Sequence, residues 1–85
     1  MSELAPQRVR EAFAGMWNEI LGAYPADDDD FFESGGGSME LVTLLVVVGE
    51  RFDVSMSIDE LFPDDFTFHV GVRAIAAAMR VGAAE

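Results

Sequence analysis

At 85 residues the chain is long enough for one domain and too short for two. It contains no cysteine and no lysine, which excludes a disulfide framework, a thiolate metal site and a cysteine nucleophile and leaves five arginines as the fixed bases. The formal net charge of −11 repels nucleic acid and anionic membranes, so neither is an expected partner.

The spacing predicts a first helix over 6–21. Val9, Phe13, Met16, Trp17, Ile20 and Leu21 recur at intervals of three and four, Pro6 suits a first helical turn, and Gly22 suits a C-terminal stop. A long loop over 23–37 follows, since Pro25, four consecutive Asp and three consecutive Gly are incompatible with a helix. The second helix is placed from Ser38 to about Phe52, with Ser38 as its N-cap and Glu40 in the first turn. Its run Leu41 to Val48 is rich in β-branched residues and could argue for a strand, but the apolar stretch is long and keeps helical spacing to Phe52. A short loop over 53–57 leads to a brief helical turn, Ile58 to Phe62, capped by Ser57. After Pro63-Asp64-Asp65 a last helix runs from about Phe68 to Arg80, capped by Thr67, with Val72, Ile75, Ala76 and Met79 on one face. The expected fold is all-α, a small bundle of three main helices plus one short helix. One domain covers 1–85, with its core over about 6–80 and a frayed tail over 81–85. Phe13, Trp17, Leu45 and Phe52 are expected in the core.

Charge is unevenly placed. Twelve of the 16 acids and one of the five arginines lie between Asp27 and Asp65, so that span carries the whole imbalance. Two readings fit: acidity keeps a small protein soluble, or it steers in partners with basic surfaces. The N-terminus carries charges where a signal peptide needs an apolar stretch, and the apolar run from Leu41 to Gly49 is too short to span a bilayer. A cytoplasmic location and no membrane partner are therefore expected.

Ser38 stands out chemically. Three glycines precede it and a helix begins at it, which leaves its hydroxyl open to a partner enzyme and favours a phosphate attached there. On the residues alone, the plainer reading of Ser38 as an N-cap behind a flexible linker is favoured, since Ser is a common cap. The acids at 27–30 fail as a calcium loop. Counted from Asp29, Glu40 falls at the twelfth place but Ser34 falls at the sixth and Phe31 at the third. No metal site is expected, and the single His69, lacking a Ser/Asp constellation in sequence, is not read as a catalytic base. No catalytic residue is assigned.

The stretch Asp29-Asp30-Phe31-Phe32-Glu33-Ser34-Gly35-Gly36-Gly37-Ser38-Met39 resembles the attachment region of acyl and peptidyl carrier proteins. That family has two Phe after acids, a pair of glycines, a variable residue, the modified Ser and a bulky aliphatic residue. Trp17 to Gly22 resembles the end of the family's first helix. Glu50 to Val54 with Ile58 to Phe62 resembles the passage from its second helix to its short third one. Asp65-Phe66-Thr67 with Arg73 to Ala76 resembles the start of its last helix. The resemblance spans residues 9–80 in order. It implies a non-catalytic carrier with 4'-phosphopantetheine from coenzyme A attached to Ser38, and with Gly36 and Gly37 beside it as cofactor-binding residues. Implied partners are a phosphopantetheinyl transferase, an adenylation or ligase enzyme that loads the arm, and downstream condensing or tailoring enzymes. Met39 and Val42 would be the docking surface, with Glu40, Glu50 and Asp53 as its acidic rim. Gly37 stands where fatty-acid carriers usually have Asp, which points to the peptidyl type and to nonribosomal peptide or polyketide biosynthesis. The chain is expected to be a free-standing monomer. The alternative of another class is an acidic helical adaptor that binds a basic protein and is never modified.

Overall fold

The computed structural model of the chain describes residues 6–84, with side chains from residue 7 to residue 79. Among the described residues four helices follow one another: α1 (Pro6–Leu21), α2 (Ser38–Phe52), α3 (Ile58–Leu61) and α4 (Phe68–Ala84). Among the described residues the extended structure is a single antiparallel bridge between Asp30 and Thr67. The all-α bundle expected from the periodicity is what forms.

The β-branched run of α2 is helical because two faces need different residues. Leu41, Leu44, Val48 and Phe52 point inward at steps of three and four, while Val42 and Val46 face solvent. Leu45, expected in the core, is half-buried, since it lies one position round the helix from Leu44. α2 ends at Asp53, whose backbone is left-handed at φ 55°.

Aromatic rings dominate the core. Phe13 stacks on Phe68 at 5.4 Å between centroids, and Trp17 meets Phe31 and Phe68 edge-on at 5.2 and 5.6 Å. Each such fully buried Phe contributes about 2–3 kcal/mol through area removed from water, with about 1 kcal/mol more for each well-oriented ring pair. α1 packs against both α2 and α4, and α3 against α4.

Two helix starts depart from expectation. Gly37 is the N-cap of α2 and Ser38 is the first helical residue, so Ser38 is not the cap. Thr67 precedes α4 as expected, but its hydroxyl donates to Asp65 rather than accepting from the helix. The free N–H groups of α4 are met from a distance. Phe68 N donates to the Asp29 carbonyl and His69 N to the Asp27 carbonyl, both at 3.0 Å. The short helix α3 stops at Leu61, one residue earlier than expected, and Ser57 caps it through a reciprocal pair with Glu60. α4 continues to Ala84, past the expected end at Arg80. The expected fraying of 81–85 falls on side chains, and for Glu85 also backbone, outside the described residues.

Candidate functional site

The loop over 22–37 is not a free linker. Phe31 is fully buried, its N–H donates to the Phe66 carbonyl at 2.8 Å, and its ring meets Trp17. The acids of the run hold the loop in shape. Asp29 Oδ2 accepts from Ala26 N at 2.8 Å, and Asp30 Oδ1 accepts from Phe32 N and Glu33 N at 2.8 and 3.1 Å. Asp27 pairs with Arg10, whose guanidinium also lies 5.0 Å from the centre of the Phe68 ring. Among the described residues no group of acids and His is placed to hold a metal ion.

The three glycines before Ser38 differ in what the structure asks of them. Residues 31–35 make a turn closed by Gly36 N donating to the Phe31 carbonyl and Gly35 N to the Phe32 carbonyl, at 3.0 and 3.2 Å. That is a Schellman closure, and Gly35 takes its left-handed position at φ 106°. Gly36 lies against Phe31, leaving no room for a β-carbon. Gly37 has an ordinary extended backbone, φ −125° and ψ −170°, that any residue can adopt.

Ser38 then opens α2, exposed, and among the described residues its hydroxyl has no hydrogen-bond partner. The first helical bond runs from Leu41 N to the Gly37 carbonyl at 2.9 Å, so the N–H groups of Ser38, Met39 and Glu40 lie ahead of the ladder and are free to meet a phosphate. An exposed hydroxyl at the positive end of a 15-residue helix suits a phosphodiester linkage. A phosphopantetheine group therefore fits the residues present.

Of the other residues singled out in the sequence, Met39 is 81 % exposed and Val42 54 %, unusually bare for apolar side chains on a folded helix. Glu50 is exposed on the same helix and Asp53 is exposed just past its end. Glu40 differs, being half-buried, with Oε1 accepting from Gly37 N at 2.9 Å. Sequence reasoning missed Val46, also 54 % exposed, and Ile58 at the start of α3. The spacing 39, 42, 46 was a signal that these residues share one face away from Leu41, Leu44 and Val48. Beside this stripe an open groove of 330 Å³ runs along the C-terminal half of α2, with Leu45, Val46, Glu50 and Met56 among its lining.

The family model of the phosphopantetheine attachment site matches residues 11–79. That range contains α2 and α3 whole and most of α1 and α4. The chain belongs to the phosphopantetheine-binding family of acyl and peptidyl carriers, whose members hold 4'-phosphopantetheine covalently. Comparison with curated proteins gives no match. No described helix is long and apolar enough to cross a membrane.

Proposed function

We propose that Ser38 carries the phosphopantetheine arm and that the chain presents an aminoacyl or acyl thioester on it to partner enzymes of nonribosomal peptide or polyketide type. The observation that carries this reading is the exposed Ser38 hydroxyl at the start of α2, without a hydrogen-bond partner among the described residues and inside the matched range. In the attachment step Ser38 Oγ bonds to the phosphorus nearer pantetheine in coenzyme A, and the P–O bond to the adenosine bisphosphate half breaks. The serine proton passes to a base of the transferase. The arm brings the thiol that the chain itself lacks.

Gly37, in place of an acid, supports a peptidyl rather than a fatty-acid carrier. Met39 and Val42 provide the apolar docking contact, with Glu50 and Asp53 on its acidic rim and Glu40 contributing its charge from the first turn. Rim charges of this kind set association rate and salt sensitivity. The carrier works as a monomer with no catalytic residue of its own. A phosphopantetheinyl transferase modifies it, an adenylation or ligase enzyme loads it, and condensing or tailoring enzymes unload it.

The test is intact mass before and after incubation with a broad-specificity phosphopantetheinyl transferase, coenzyme A and magnesium, alongside Ser38→Ala. One phosphopantetheine added to the parent and none to the variant is the expected result. No addition to a folded, unmodified parent would overturn Ser38 as the attachment point and bring forward an acidic adaptor that docks through the same exposed stripe.

A further inference from the structure

We propose that Glu40 is a positioning residue for Ser38, standing in for the N-cap side chain that Gly37 lacks. The inference rests on Ser38 being the attachment point. A helix usually gains its first side-chain bond from the N-cap residue, which accepts from an N–H in the first turn. Gly37 has no side chain to do so, and the entry into α2 has no cap hydrogen bond of that kind. What ties the turn is the opposite half of the reciprocal pair, Glu40 Oε1 accepting from Gly37 N at 2.9 Å. That bond spans the two peptide units on either side of Ser38. It fixes the direction from which the chain enters the helix, and so the direction in which the Ser38 hydroxyl leaves it.

The position of the carboxylate also accounts for Gly37. A β-carbon there would lie 3.0 Å from Glu40 Oε1, so a side chain at 37 would push the carboxylate back slightly from the Gly37 N–H. With glycine at 37, Glu40 gives the one side-chain cap bond at this turn among the described residues, whereas Ser57 and Glu60 share two at the start of α3. Glu50 and Asp53, exposed and further along α2, have no such bond to the attachment turn. Glu40 therefore has two separable properties: an acceptor oxygen, which shapes the turn, and a charge, which a basic partner can feel. Gln keeps the first and loses the second, whereas Ala loses both.

The experiment measures kcat and KM for attachment of phosphopantetheine to the full chain by the transferase, read by intact mass. The chains compared are the parent, E40Q, E40A and the double variant G37N/E40A, each shown by circular dichroism to be folded at the assay temperature. E40Q is expected within about two-fold of the parent kcat and E40A about five-fold lower, the weight of one N-terminal cap. G37N/E40A, capped from the other side in a background where Asn meets no carboxylate, is expected to recover most of that loss. Equal losses in E40Q and E40A, a change confined to KM, or no recovery in G37N/E40A would overturn the proposal and leave Glu40 as a docking charge. Should E40A not fold, E40Q and G37N/E40A each keep one cap and decide alone, a fall in kcat in both overturning it. A parent chain that gains no mass overturns Ser38 as the attachment point, whereas a modified parent matched by E40A overturns only the role of Glu40.

Discussion

The Phe31 ring occupies the space that a side chain on residue 36 would need. A β-carbon there would lie 2.5 Å from Phe31 Cδ2 and 2.8 Å from the Phe31 carbonyl oxygen. The ring cannot retreat, because it is fully buried against Trp17, and the carbonyl is already bonded to Gly36 N. Gly36→Ala should therefore cost about 2–3 kcal/mol, as overpacking in a closed core does. Gly37→Ala, in extended backbone, should cost well under half as much. Urea melts of the two variants, compared at equal slope, check the contrast.

Gly35 separates conformation from space. Its φ of 106° is left-handed, yet nothing lies within 4 Å of where its β-carbon would point. Gly35→Ala should lose about 1–2 kcal/mol from backbone strain alone. Because the strain is local, Gly35→Asn should lose noticeably less than Ala. Equal losses for the two, read by thermal melts, would show that something other than backbone conformation sets the preference.

Arg10 serves α4 from α1. Its guanidinium pairs with Asp27 and lies over Phe68, and both it and Asp27 remain well exposed. Solvent screening keeps such an ion pair weak, so the ring contact should carry most of its value. Arg10→Ala is expected to cost about 1 kcal/mol and Asp27→Asn under about 0.5 kcal/mol. Raising salt should narrow both differences by the shared ion-pair contribution and leave the ring-contact part of the Arg10→Ala loss in place.

Asp65 predicts a pH dependence with a definite sign. The Thr67 hydroxyl, then the Thr67 N–H, donate to its carboxylate and hold it below the usual carboxylate range, with His69 adding in the same direction. A pKa lower in the folded chain than in the unfolded one gives stability that is full above the unfolded value. That stability is lost as pH falls through the folded value. Asp65→Asn should therefore flatten the acid side of the stability profile below about pH 4 relative to the parent. Parallel profiles in thermal melts from pH 5 to pH 2 would refute this.

Asp53 sits at the C-terminus of α2 with a left-handed backbone, where an acid opposes the helix dipole. Asp53→Gly should leave the fold intact and raise stability by about 0.5–1 kcal/mol. If Asp53 also belongs to the docking rim, the same variant should slow loading by the cognate ligase at low salt, and the two effects separate in one preparation.

The helices were legible because each is written in local spacing: Val9, Phe13, Met16 and Trp17 in α1, and Leu41, Leu44, Val48 and Phe52 in α2 are all buried. The N-cap of α2 was misplaced by one residue because Ser is the stronger cap by preference. The pairing of Gly37 with Glu40, three residues on, was the local signal that outweighs it. Nothing local could have revealed what meets the start of α4. The carbonyls of Asp27 and Asp29 are some forty residues away in sequence from His69 and Phe68, and a backbone acceptor has no residue signature. The serine itself stood out through the glycines before it, and the structure adds why two of those three cannot be replaced freely.

The link between residues 27–31 and residues 66–69 puts the two ends of a long stretch of chain in charge of one another. During synthesis Ser38 leaves the ribosome well before Phe66 does, and until Phe66 and Phe68 arrive the turn ahead of the serine has no seat. A purified chain truncated before Phe66 should accept phosphopantetheine more slowly than the 85-residue chain, which the two labelled side by side would show. The timing of modification is in this sense built into the order of the residues, since the turn ahead of Ser38 is seated only once residues 66–69 have been made.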